Sequence, residues 1–193
     1  TKLPPHKRCH VGLARTFQLN AAFESLTVRE NTLAGSYFGH SNRIFPGARF
    51  SKQSVERAEW ALSLVGLADE ADRSVETLPV YKRKLLMLAG ALSSAPLLLM
   101  MDEPVGGLNK QEVDDIMKIV RKVSESGVTV LLIEHVMRFL VALSDRVIVM
   151  HHGENIFEGE PSGLASDKTV VDVYLGEGAS DLIADALGDA SNG

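Results

Sequence analysis

The sequence predicts an α/β domain built on a parallel sheet, and three stretches carry that reading. Leu97 to Met101 is a run of five apolar residues closed by Asp102-Glu103-Pro104, which suits a strand buried on both faces. Gln111 to Ser126 sets Val113, Ile116, Met117, Val120 and Val123 on one face of a helix. Val128 to Ile133 is a second apolar run, expected to be another buried strand. Strand, helix and strand in that order require a crossover and parallel pairing.

The remaining elements follow in chain order. Val11 to Asn20 mixes β-branched, aromatic and small residues and reads as a strand running into a loop. Thr27 and Glu30 have capping-box spacing, so a helix starts there. Phe38 to Phe50 contains Gly, Pro, Asn and Arg and is expected to be loop. Ser51 to Val65 predicts a helix with Val55, Ala58, Ala61, Leu62 and Val65 on its apolar face, ended by Gly66. Leu85 to Leu92 reads as a short apolar helix containing Gly90, and Gly127 ends the 111–126 helix. Val136 to Leu143 is expected to be helical. Arg146 to Met150 and Asn155 to Glu158 form a hairpin across His152-Gly153, with the first strand continuing the α/β order. From Gly176 the chain is rich in Gly, Ala, Asp and Ser, a tail with one weak helix around Asp181 to Leu187.

Composition narrows the classes. The chain has 193 residues, 45% hydrophobic and 23% charged, enough for one sizeable core. The net charge of −5 is spread along the chain, with no basic stripe for nucleic acid. A lone Cys9 excludes an internal disulfide and no Cys cluster suggests zinc. The start is polar and basic, without a signal-peptide pattern. Leu85 to Met101 carries no charge but is short for a membrane span and is interrupted by Pro96.

The chemistry centres on Asp102-Glu103. Adjacent carboxylates at the end of a buried strand are costly unless they bind something. In open α/β sheets ligands gather at the carboxyl ends of strands. Asp102 suits Mg²⁺, directly or through water, and Glu103 suits orienting or deprotonating a water. The plainer alternative is a strand that ends at a polar turn. Gly106-Gly107-Leu108-Asn109 follows, then the amphipathic helix, the next strand and Glu134-His135. Taken alone, His135 reads as a structural or surface histidine.

In that order these segments resemble the ATP-binding subunits of ABC transporters. The resemblance implies a P-loop NTPase-like sheet with a helical subdomain. It makes Asp102 the Walker B aspartate for Mg²⁺, Glu103 the catalytic base, Gly106 to Asn109 the D-loop (with Gly107 and Asn109 near nucleotide) and His135 the γ-phosphate contact. Arg15-Thr16-Phe17-Gln18 resembles the Q-loop, with Gln18 touching Mg²⁺ or the attacking water. Phe23 with Leu26-Thr27-Val28-Arg29-Glu30-Asn31, Glu158-Gly159-Glu160-Pro161 and Val173-Tyr174-Leu175-Gly176-Glu177 point to the branched-chain amino acid (Liv-type) group. The resemblance spans residues 1–177, with about 31–95 as the helical subdomain and 178–193 as a tail.

Two departures stand out. The pattern G-x-x-x-x-G-K-[ST] is absent. The resemblance puts that loop, the first strand and the adenine-stacking aromatic upstream of Thr1, so an N-terminal segment is expected to be lacking. Where relatives carry a Leu-Ser-Gly-Gly-Gln-like signature, this chain has Leu78-Pro79-Val80-Tyr81-Lys82. Pro79 removes the serine hydroxyl and Tyr81 the glycine that lets backbone approach. Lys82, Arg83 and Lys84 read as a solvated basic helix start.

The implied function is an ATP-hydrolysing subunit of an amino-acid importer, using ATP and Mg²⁺. It would pair with a second ATP-binding subunit and with membrane permease subunits, peripheral on the cytoplasmic face of the membrane and without nucleic acid. Without the phosphate loop, the isolated residues are expected to hydrolyse little. The alternatives are a degenerate, non-hydrolysing nucleotide-binding or interaction module, and a truncated gene product.

Overall fold

The computed structural model describes residues 2–16, 22–40, 50–164 and 166–171. Its contacts divide the chain into one unit running through Ile133 and a second beginning at Glu134.

The first unit opens with a short helix, α1 (Pro5–His10), led by Pro at its first turn, where a missing N–H costs nothing. It lies in the stretch that the sequence reading left as a polar, basic start. Strand β1 (Leu13–Arg15) follows. Helix α2 (Val28–His40) begins as its capping box predicts. The Glu30 amide donates to Thr27 Oγ1 and the Thr27 amide donates to Glu30 Oε2. The Thr27 amide, and then the Thr27 hydroxyl, which also donates to Glu30 Oε2, hold the Glu30 carboxyl below its ordinary value. Helix α2 runs through Phe38 and Gly39, so the loop expected from Phe38 starts later; residues 41–49 of that loop lie outside the described residues.

Helix α3 (Lys52–Val65) is capped by Ser51, whose side chain accepts from the Ser54 amide, and ends on Gly66 at φ +75°. Ala58, Ala61, Leu62 and Val65 are buried as expected, but Val55 is exposed and Ser54 takes the inward position. The hydroxyls of Ser51 and Ser54 bond each other, which satisfies Ser54 there. Helix α4 (Val80–Ser93) is longer than the apolar run that announced it, because the basic Lys82 to Lys84 form its first turns. Helices α2, α3 and α4 pack on one another.

The α2–α4 contact is backbone on backbone. A Cβ added at Gly35 would collide with the Gly90 carbonyl oxygen and lie 2.7 Å from Ser93 Oγ. One added at Gly39 would come within 2.5 Å of Ser94 Cβ. Ser93 Oγ also donates to the Thr32 carbonyl across the gap, at 2.9 Å. A Cβ at Gly90 itself would meet nothing within 4 Å, so the crossing requires glycine at positions 35 and 39 and not at 90.

Strand β2 (Leu98–Asp102), helix α5 (Lys110–Glu125) and strand β3 (Thr129–Ile133) complete the unit. The sheet is parallel in the order β1-β2-β3, with β2 central. Its register sets Arg15 beside Met100 and Asp102 beside Ile133. The expectation of strands buried on both faces needs correction. Leu99 and Met101 are buried, whereas Leu98 and Met100 are only half covered. In β3, Leu131 and Ile133 share the strand face that is exposed. In α5 the core face is Val113, Ile116, Val120 and Val123, with Met117 half-buried.

The second unit holds α6 (Met137–Leu143), the antiparallel pair β4 (Val147–His151) and β5 (Glu154–Gly159), and one turn of helix, α7 (Lys168–Val170). Val141, Val147, Leu164 and Val170 form its core, with Met137, Leu140, Val149 and Phe157 against them. Among the described residues β4 pairs only with β5, so it does not join the parallel sheet as its place in the α/β order suggested. The expected tail helix and residues 173–177 lie outside the described residues. Among the described residues no helix is long and apolar enough to cross a membrane.

The helix crossing gives a stability prediction. Gly35→Ala forces α2 and α4 apart and should cost about 1–3 kcal/mol, the usual range for overpacking. Urea denaturation measures it, and an unchanged midpoint would show that the crossing yields without loss.

Candidate functional site

The site is assembled at the carboxyl end of β2. The Glu103 amide still donates to the Ile133 carbonyl, at 2.9 Å, so the ladder holds one residue past Asp102. The chain then turns sharply. Glu103 adopts φ +46°, the left-handed region that L side chains avoid. The Gly106 amide donates to the Glu103 carbonyl and the Leu108 amide to the Val105 carbonyl, two turns in succession. Gly107, at φ +76°, supplies the conformation the second turn demands. Asn109 then caps α5: its Oδ1 accepts the Glu112 amide while Glu112 accepts the Asn109 amide, both at 3.0 Å. Asn109 Oδ1 is thereby committed to the helix start.

Asp102 and Glu103 face a cleft also lined by Thr16, Lys84, Leu85 and Pro104. The Asp102 carboxylate already accepts from a cation. Arg15 Nη2 stands 2.9 Å from its Oδ2. The parallel register makes this pair, since Arg15 ends the strand beside β2 and the Thr16 amide is bonded to the Met100 carbonyl. Sequence reasoning placed Asp102 and Arg15 in different motifs. Only the register shows them to be neighbours.

The donor set fits a hard divalent cation. Among the residues lining the cleft, Asp102, Glu103 and Thr16 carry oxygen donors, the kind Mg²⁺ takes, beside Lys84 and a mostly apolar remainder. Among the described residues no group of three or more His, Cys, Asp and Glu could hold a metal by itself. A cation here would therefore depend on phosphate or water oxygens for its remaining ligands, as Mg²⁺ at nucleotide sites does.

His135 belongs to the second unit and is exposed. Its backbone is held by the preceding residue. The fully buried Glu134 carboxylate accepts from the amides of His135 and Val136, at 3.0 and 3.1 Å. In the sequence reading Glu134 is named beside His135 and has no role of its own. Its role could be inferred from a carboxylate immediately before a helix start, where free amides gather. Gln18 lies outside the described residues.

The stretch at the signature position departs from a solvated basic helix start. Lys82 is paired with Glu70, which also accepts from Arg73. The Lys82 ammonium, and more weakly Arg73, hold the Glu70 carboxyl below its ordinary value against the opposing effect of burial. Arg83 pairs with Glu24 at 2.8 Å and donates to the carbonyls of Leu78 and Glu76. These cations serve the fold. Pro79 caps α4 without a side-chain hydrogen bond, and Val80 is exposed. Tyr81 is half-buried: burial, then the charges of Asp115 and Glu112 on α5, push its phenol up.

The left-handed backbone at Glu103 makes a prediction about sign. In ordinary backbone Gly is less stable than Ala by roughly 0.5–1 kcal/mol. At position 103 the order should reverse, Glu103→Gly exceeding Glu103→Ala by about 1 kcal/mol. Both variants lack the carboxylate, so their urea midpoints isolate the backbone. An Ala variant as stable as the Gly variant would mean that the turn carries no strain.

Comparison with known proteins identifies the family. A family model described as ABC transporter matches residues 2–106. The high-affinity branched-chain amino acid transport ATP-binding protein BraF of Pseudomonas aeruginosa is 36% identical over 185 residues, covering 91% of this chain and 72% of BraF. LivG of Escherichia coli, with the same description, is 30% identical over 183 residues, with coverage of 91% and 72%. A crystal structure of the ADP conformation of an ATP-binding cassette of an ABC transporter superposes with a TM-score of 0.78 at 31% identity, covering 92% of this chain and 73% of that one. A parallel sheet with paired carboxylates at its central strand end, matched by sequence over most of the chain, places this protein in the ABC transporter family as an ATP-binding subunit.

Proposed function

We propose that the chain energises an importer of branched-chain amino acids by ATP hydrolysis, paired with a second ATP-binding subunit and docked peripherally on permease subunits at the cytoplasmic face of a membrane. The observation that carries this reading is Asp102-Glu103 at the end of the central parallel strand, in a chain 36% identical to a branched-chain amino acid transport ATP-binding protein.

In this reading Asp102 holds Mg²⁺, whose charge would offset that of the phosphates. Glu103 takes the proton of the attacking water or orients it, and its left-handed backbone fixes the direction from which the carboxylate is offered. Glu134 fixes the backbone from which His135 reaches the γ-phosphate. Gln18 senses the occupied site. Gly107 and Asn109 give the D-loop its turn and its helix cap.

A second reading draws on the signature position. Pro79 and Tyr81 replace the hydroxyl and the glycine, and Lys82 and Arg83 are engaged in internal pairs. A chain so altered would pair with an intact subunit and contribute its Walker B strand and contacts, not turnover. Restoring Ser at 79 and Gly at 81 should then raise the ATPase activity of a complete dimer, measured by phosphate release. Unchanged release would show that this position does not limit turnover.

The central test concerns Glu103. The pattern G-x-x-x-x-G-K-[ST] does not occur in these residues, so turnover is measured in a version of the chain that carries the loop. Glu103→Gln should lower turnover by about 10²-fold or more, the scale of general base catalysis, while leaving ATP binding intact. Undiminished turnover would remove Glu103 from the reaction.

A further inference from the structure

Arg15 has no role in the reaction derived so far, yet its guanidinium lies on the carboxylate assigned to the metal. We propose that Arg15 is the resident counter-ion of Asp102, and that a divalent cation gains this carboxylate by displacing the guanidinium. The inference rests on the reading of Asp102 as a metal ligand.

Three features support it. The contact is direct, with Arg15 Nη2 at 2.9 Å from Asp102 Oδ2. It is offered from a strand and not from a loop. Arg15 is the last residue of β1, in register with Met100, and the Thr16 amide is bonded to the Met100 carbonyl. Sheet pairing thus fixes where the guanidinium starts from. Finally, the pair is open enough to exchange. The Arg15 side chain is 47% exposed and that of Asp102 is 29% exposed, so solvent screens the attraction and takes up the guanidinium when it leaves.

The electrostatics give the exchange a purpose. Asp102 and Glu103 are consecutive carboxylates facing one cleft, and like charges at such a site oppose each other. With no metal bound, the guanidinium offsets one of these two charges, on Asp102, and Lys84 lines the same cleft. A divalent cation arriving at Asp102 meets this positive charge and gains Oδ2 only by displacing it, so Arg15 weakens cation binding. Arg15 acts through Asp102 and is a positioning residue, not a catalytic one.

The test uses Mn²⁺ alone as the probe, with the free-ion electron paramagnetic resonance signal titrated against the full chain. Four versions are compared: wild type, Arg15→Gln, Arg15→Lys and Asp102→Asn. Removing the competing cation should let Arg15→Gln hold Mn²⁺ about two- to five-fold more tightly than wild type, the scale of a partly exposed ion pair. Arg15→Lys keeps the charge but loses the planar fork, so its affinity should fall between the two. Asp102→Asn should bind more weakly than wild type. If Asp102→Asn weakens binding but neither Arg15 variant strengthens it, the counter-ion proposal is overturned and the metal role of Asp102 stands. If Asp102→Asn leaves binding unchanged, or if no version holds Mn²⁺, the metal role falls and takes the proposal with it.

Discussion

The pairing of β2 with a parallel strand on each side is the constraint from which the site follows. Parallel strands share a direction, so their carboxyl ends emerge together. Here that shared edge collects Arg15 and Thr16 from one strand and Asp102 and Glu103 from the next. Ile133 of the third strand keeps the ladder closed by accepting the Glu103 amide. An antiparallel neighbour would have carried Arg15 to the far end of the sheet.

The sharpness of the turn after β2 determines what the site can present. A left-handed residue, a positive-φ glycine and a capped helix start succeed one another between Glu103 and Asn109. Each solves a local problem of chain reversal. Together they leave both carboxylates at the cleft with little freedom in the backbone beneath them. The signature position shows the opposite arrangement. Its cations are held by Glu70 and Glu24, which secures the start of α4 but leaves less positive charge for an outside anion.

Much of this was legible in the sequence because it depends on neighbours along the chain. The Thr27–Glu30 capping box, the Ser51 and Gly66 ends of α3, and the run of apolar residues stopping at Asp102 are all local patterns. What escaped depends on partners distant in sequence. The Arg15–Asp102 pair spans 87 positions and needs the sheet register. Lys82 to Lys84 open a helix as expected, but Lys82 and Arg83 are not merely solvated, because Glu70 and Glu24 reach them from elsewhere in the chain. Apolar composition could not reveal that Leu131 and Ile133 lie on an exposed face of β3. Val55 was misplaced for a related reason: a pair of serines satisfied each other and took the inward side of α3.

The glycine crossing of α2 and α4 has a mechanical consequence. Most helix pairs touch through side chains, which hop between rotamers and absorb small displacements. Where Gly35 rests on the Gly90 carbonyl there is no such cushion. The two helices have little room to slide past each other at this point, and Lys84 and Leu85 of α4 line the cleft beside Asp102 and Glu103. A push on α2 at this crossing would be passed directly to α4.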